Sequence, residues 1–391
     1  MSIIPLSRPD ITDLEIQAVV ETLRSERLSN GPRQAKFEEM VAERCGRRHA
    51  IAVSSGTSGL HLVMLALGIG PGDEVITTPF SFVATANCIL YVGAKPVFVD
   101  IDPGSLNLDP EKVQAAITPK TKAIIGVEIF GNPAHMDRLE QIANRHEIPL
   151  IEDCCEGLGG KHKGRPIGSF GRIGVFAFYP NKQITTGEGG VIVTDDLHLA
   201  NLCRSLRNQG RPVDHHSNDS SATNVAGSWL AHERLGFNYR LSEIAAAMGA
   251  VQMERLDQIL GMRRNIAGLY MRRLMDYNDL ILPNVDEPEN MSWFVFVVRL
   301  TDPYTSTERD RIITGLRRHD IGAANYFPCI HLQPYMSGMA GCQKGLCPIA
   351  ESISQRTLAL PFFNRMDETQ VELVCHTLKI MLDRENLLRR P

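Results

Sequence analysis

Four short stretches hold side chains able to do chemistry, and the most distinctive is FYPNKQITTGEGG, residues 178–190. Lys182 follows the apolar run GVFAFY through a Pro180-Asn181 turn, and TTGEGG then leads into VIVTDD. A lysine in such a turn is commonly a solvated surface group. At the end of a buried strand, near an acid and an anion site, it becomes an amine that can attack a carbonyl carbon.

The other three stretches offer those companions. PLIEDCCEGLGG, residues 149–160, runs an apolar strand into Glu152 and Asp153. A strand-end carboxylate there can cap the next segment or hold a positively charged ring nitrogen, and both readings stay open. SSGTSGL, residues 54–60, joins a strand to a helix. Gly56 allows close backbone approach, and the free N–H groups of a helix start suit a phosphate. An N-capped turn would look the same. TTPFSFVATAN, residues 77–87, brings Phe82, either a core aromatic or a face for a planar ring. Together, amine, acid, anion site and aromatic face are the parts of a pyridoxal phosphate site.

These parts need a frame that gathers strand ends. The first half alternates β-branched runs with helical patterns: HAIAVSS, DEVITTP, KPVFVDI, KAIIGVEIF, PLIEDCC, GVFAFY and GVIVTDD, with GLHLVMLAL and MDRLEQIANRH between them. That rhythm predicts an α/β domain with a mainly parallel sheet, whose ligands bind at the C-terminal strand ends. From Leu241 the spacing predicts one long helix to about residue 275, linking to a smaller α+β domain with a strand at WFVFVVRL and helices at ERDRIITGLRRHD and ETQVELVCHTLKIML. We divide the chain into 1–245, the large domain with an N-terminal arm, and 246–391. Residues 209–228 read as a long loop.

Composition narrows the partners. The 391 residues carry a formal net charge of −4, which gives no basic excess to attract nucleic acid. The start MSIIPLSRPD lacks a basic-then-apolar leader, and no run approaches ~18 apolar residues, so neither export nor a membrane span is expected. A cytoplasmic protein with reduced thiols fits its nine cysteines. Cys154 with Cys155, and Cys342 with Cys347 near His331, do not have zinc spacing, and His215 with His216 sit in a polar loop, so no metal site is expected.

Along nearly its whole length the chain resembles the DegT/DnrJ/EryC1/StrS family of sugar-nucleotide aminotransferases. The match runs through IPLSRPDITDLEIQAVVETL, SNGP, SSGTSGLHL, FSFVATAN, PVFVDID, IEDCCEGLGG, FYPNKQITTGEGG, LGFNYRLSEIAAAMGAVQMERLD, YFPCIHLQPY and LALPFF. The resemblance implies the aspartate-aminotransferase fold (fold type I) with a seven-stranded sheet, and pyridoxal 5'-phosphate held on Lys182 as a Schiff base. It implies that Asp153 pairs with the ring nitrogen, that Phe82 stacks on the ring, and that Gly56 and Thr57 hold the phosphate. Glu156 is carried over near the ring hydroxyl, where many relatives have Gln. Ala177 stands where many have a phosphate-binding serine. Asn238 is implied to reach the phosphate from the partner of a homodimer with shared sites.

The same resemblance places Ser29, Asn30, Arg240, Tyr326 and His331 around a nucleotide sugar. It implies transfer of an amino group from glutamate to a 3- or 4-keto nucleotide-linked deoxysugar. Lys182, where a dehydrating branch of the family has His, favours transamination. Two alternatives remain: amination of a non-nucleotide cyclic ketone, and a non-catalytic regulatory member of the fold.

Overall fold

The computed structural model describes residues 3–213, 231–285, 290–339 and 341–389. His215, His216 and most of the 209–228 stretch lie outside the described residues.

All seven β-branched runs become strands of one sheet. They are β1 (His49–Val53), β2 (Glu74–Thr77), β3 (Lys95–Phe98), β4 (Thr121–Val127) and β5 (Leu150–Asp153); after the small hairpin β6 (Lys161–His162) and β7 (Arg165–Pro166) come β8 (Ile173–Ala177) and β9 (Gly190–Thr194). The order is β1-β9-β8-β5-β4-β2-β3, with β9 antiparallel to both neighbours and the other pairings parallel. Around it, in chain order, lie α1 (Asp13–Leu23), α2 (Pro32–Cys45), α3 (Gly56–Ala66), α4 (Ala84–Tyr91), α5 (Pro110–Ala116), α6 (Met136–Arg145), α7 (Leu197–Arg207) and α8 (Glu243–Glu254).

Strand alternation explains why these runs are apolar throughout. On β1, Ala50 and Ala52 pack with Phe37 and Val41 of α2 and with Ala246 and Ala250 of α8. Ile51 and Val53 point the other way, to Leu60 and Val63 of α3 and Ala200 of α7. A sheet covered on both faces favours apolar side chains on both, so a strand such as β1 reads as continuous rather than alternating.

The expected single helix from Leu241 is instead two: α8 ends at Glu254 and α9 (Leu256–Leu274) begins after Arg255, whose φ of −95° and ψ of 0° break the turn. Arg255 is held there by ion pairs to Asp10 Oδ2 at 2.8 Å and Glu15 Oε1 at 2.5 Å. Those partners lie far away in the chain, so helical periodicity could not reveal the break. α8 packs on α1 and α2, and the expected division at 245/246 falls inside this helix.

Beyond α9, β10 (Leu280–Ile281), β11 (Phe296–Leu300), α10 (Ser306–Arg318), α11 (Pro348–Ser354), β12 (Thr357–Leu360) and α12 (Glu368–Arg389) form a smaller unit on an antiparallel sheet ordered β10-β11-β12. The N-terminal segment reaches it: Ile4 N–H donates to Asp320 O, and Gly322 N–H donates to Ile4 O. Among the described residues, no helix is long and apolar enough to cross a membrane.

Candidate active site

Strand β5 decides between its two acids. Successive side chains on a strand face opposite ways. Glu152 turns into the interior, where its Oε1 accepts from Phe170 and Gly171 N–H at 2.7 Å each and its Oε2 accepts from Gly168 N–H at 2.9 Å, with Arg47 at 3.6 Å. Asp153 turns to a cavity of ≈ 610 Å³ at the C-terminal strand ends. Its Oδ2 accepts from Thr85 Oγ1 at 2.7 Å, Thr85 is in contact with Ser81 Oγ at 3.1 Å, and its Oδ1 accepts from Cys155 N–H at 3.3 Å. A hydrogen bond to a charged acceptor contributes roughly 1.5–3 kcal/mol, so Thr85 fixes how the carboxylate faces the cavity.

Lys182 enters the same cavity from the turn after β8. Its N–H donates to Tyr179 O at 2.9 Å, closing the Tyr-Pro-Asn-Lys turn. The following TTGEGG is a brace: Thr185 Oγ1 donates to Phe178 O at 3.0 Å and accepts from Gly187 N–H at 2.9 Å, while Thr186 Oγ1 donates to Glu188 O at 2.8 Å. Gly187 has a φ of +79°, a conformation that costs other residues energy. The lysine side chain is 13% exposed, and its Nζ lies 3.7 Å from Glu156 Oε1 and 3.9 Å from the centre of the Phe294 ring.

Glu156 is buried and accepts from Phe130 N–H through Oε2 at 2.8 Å. Burial pushes its carboxyl above the usual range, while the Lys182 ammonium and the Phe130 N–H pull the other way. These are the donors a carboxylate at this position requires.

The anion site is the start of α3. Ser55 caps it by accepting from Ser58 N–H at 3.0 Å, and the first helical bond is that of Gly59 N–H to Ser55 O. Gly56 and Thr57 therefore precede the intrahelical ladder and line the cavity with a positive helix end. A Cβ on Gly56 would stand 2.7 Å from Ala177 Cβ and 2.9 Å from Cys155 Sγ, so only glycine fits this floor. Phe82 is 59% exposed and lines the cavity, whereas Phe80 is fully buried, so the aromatic of the pair that serves as core is Phe80.

The remaining expected residues divide. Tyr326 lines the cavity, as does Asn181, whose Oδ1 is buried without a partner among the described groups. His331 does not reach it: fully buried, it contacts Glu351 Oε1 through Nε2 at 3.0 Å and packs on Phe98. Ser29, Asn30, Asn238 and Arg240 are also outside this lining. Ser29 is bridged to Ser242, Asn30 has a φ of 52°, Asn238 is bridged to Asn208, and Arg240 Nη1 donates to Asn208 Oδ1 at 2.9 Å. Thr85, Asn181, Glu188 and Phe294 line the cavity although sequence reasoning gave them no role. Thr85 and Asn181 lay inside stretches already singled out, but Phe294 carried no signal beyond that of a strand. Among the described residues the one cluster of three potential metal ligands is Glu128, Glu152 and Cys154, all buried.

The donor set fits pyridoxal phosphate. A buried acid with no ion-pair partner among the described residues faces the cavity to meet a ring N–H, an amine stands in the same space, and a capped helix start offers N–H groups to a phosphate. Fold and site define a pyridoxal-phosphate-dependent transaminase of fold type I. Residues 9–379 match the model of the DegT/DnrJ/EryC1/StrS aminotransferase family, and the chain belongs to that family. It is 38% identical to the spore coat polysaccharide biosynthesis protein SpsC of Bacillus subtilis (strain 168), over 96% of each chain. Among solved structures it is similar to DesV of S. venezuelae, at 32% identity and a TM-score of 0.86 over 97% of this chain and 98% of that one. The PMP form of the putative sugar aminotransferase Spr1654 from Streptococcus pneumoniae gives 26% identity and a TM-score of 0.90 over 99% of both chains.

Proposed function

We propose that this sugar aminotransferase moves the amino group of glutamate onto a 3- or 4-keto deoxysugar linked to a nucleotide, with Lys182 as the working amine. The observation that carries the reading is the convergence of Lys182, Asp153 and the α3 start on one cavity. Similarity to SpsC, whose name assigns it to polysaccharide biosynthesis, supports a sugar acceptor.

Bound pyridoxal phosphate supplies an aldehyde that exchanges one amine for another and a protonated ring that withdraws electrons from the adjacent carbon. Asp153, aimed by Thr85, holds the ring nitrogen's proton. Gly56 and Thr57 N–H groups bind the phosphate, and Phe82 offers a face to the ring plane. Glu156 lies where the ring hydroxyl is expected. As a free amine, Lys182 Nζ accepts the α-proton of the amino donor and returns a proton to the sugar carbon. Tyr326 lines the wall where the sugar is expected to lie.

Among the described lining residues Lys182 is the one cation. The charge of a nucleotide diphosphate must then be met from outside this lining. We propose that Arg240 does so, with Ser29 and Asn30 beside the sugar and Asn238 at the phosphate, in a homodimer that shares its sites. The buried position of His331 favours a structural role instead. We also propose a cytoplasmic location, in keeping with cysteines that are all free.

The test is to supply keto-sugar nucleotides with glutamate and measure 2-oxoglutarate release, which this reading expects from at least one of them. The scarcity of cations in the lining also favours a second reading, a cyclic ketone with no diphosphate. Failure of UDP-, GDP- and dTDP-sugars alike to bind would select that reading.

A further inference from the structure

Phe294 comes from the smaller unit, in the segment that leads into β11, yet it ends beside the lysine turn. The residue is 2% exposed, and Lys182 Nζ stands over its ring at 3.9 Å from the centroid.

The backbone that carries the ring is held from two directions. Arg263 of α9, itself buried, donates Nε to Trp293 O, Nη2 to Phe294 O and Nη1 to Asn364 Oδ1, each at 2.6 Å. These acceptors are neutral, and burial lowers the guanidinium to about 9, a cost set against fixing this one piece of backbone. From the other side Gln183, the residue after Lys182, donates Nε2 to Ser292 Oγ at 2.7 Å and to Glu156 O at 2.6 Å. Ser292 Oγ in turn donates to Leu158 O at 2.6 Å. The lysine turn, the Glu156 segment and the residues before Phe294 are thus one stitched unit.

An aromatic face carries negative charge density and attracts an ammonium within about 6 Å of its centre. A leucine would fill the same space without that attraction. We propose that Phe294 is a positioning residue whose ring face seats the charged amine of Lys182, and that Arg263 holds the ring in register for it. The smaller unit thereby contributes to the handling of the lysine by its own chain. Weakening the face should leave the amine less firmly seated and freer to react. This inference rests on Lys182 being the working amine.

The test replaces Phe294 with phenylalanines carrying one, two and three ring fluorines, which drain the face while nearly keeping its shape. In the cofactor-free full-length protein, acylation of Lys182 by acetic anhydride at fixed neutral pH is followed by peptide mass spectrometry. The rate should climb stepwise by about 3- to 10-fold across the series, the size expected of such a contact. Phe294→Tyr should stay near the parent and Phe294→Leu should exceed it. A flat fluorine series overturns the inference, since packing alone would leave the rates unchanged. Borohydride reduction of the holoenzyme and peptide mapping separate the two claims. Cofactor fixed on Lys182 with a flat series defeats the seat alone, whereas cofactor fixed on another lysine defeats the reading beneath it.

Discussion

Lys182 Nζ lies 3.7 Å from Glu156 Oε1, a cation and an acid brought together by the turn after β8 and the segment after β5. The Phe130 N–H holds the other oxygen of that acid, so Glu156 cannot swing away without leaving a buried donor unpaired.

Glu156→Gln keeps an acceptor for Phe130 and removes the charge beside the amine. We expect the variant to fold, with acylation of Lys182 in the cofactor-free protein about tenfold faster at neutral pH, the size of ~1.4 kcal/mol. Peptide mass spectrometry against time checks this. An unchanged rate would mean that the carboxyl does not act on the lysine.

Thr85→Val removes the hydroxyl that orients Asp153 while nearly keeping its volume. Loss of a charge-assisted bond of ~1.5–3 kcal/mol predicts cofactor affinity about 10- to 100-fold weaker, read by absorbance titration. Asp153→Asn should weaken it further.

Gly56→Ala forces a methyl against Ala177 and Cys155. Overpacking of this kind costs about 1–3 kcal/mol, and phosphate binding should weaken with it. Adding Ala177→Gly removes one of the two clashing atoms, so the double variant should recover part of both losses. Thermal melts and cofactor titration of the single and double variants measure that coupling.

Glu128 is fully buried, and burial, with Glu152 and Asp153 adding to it, raises its carboxyl well above the ordinary 4.5. A raised carboxyl contributes stability that is present below 4.5 and is lost as pH rises through its folded value. Glu128→Gln should therefore gain little in Tm near pH 4.5 and gain by about 1–2 °C at pH 8, a shift of order 1 kcal/mol for a chain of this length. A gain that does not depend on pH would contradict the charge argument.

Much of this architecture could be read from the chain because both faces of the sheet are covered. Ile51 and Ala52 each meet helices, so β1 shows as an apolar run from Ala50 to Val53. Lys182, Gly56 and Phe82 were legible for a local reason: each sits beside turn or cap residues at a strand end. What escaped depends on distant partners. Glu152 and Asp153 are alike by residue type; the family resemblance chose Asp153, and alternation on the placed strand gives the physical reason. Arg255 breaks a helix because Asp10 and Glu15 hold it. Phe294 reads as one more strand residue until the smaller unit packs beside the lysine turn. His331, placed beside the sugar by the resemblance, turns inward to Glu351.

The most direct test of the account is where the cofactor becomes covalently fixed. Holoenzyme reduced with borohydride, digested and mapped should carry the phosphopyridoxyl group on Lys182, and Lys182→Ala should lose both that label and the visible band. Label on a different lysine, or a band and turnover that survive Lys182→Ala, would contradict it.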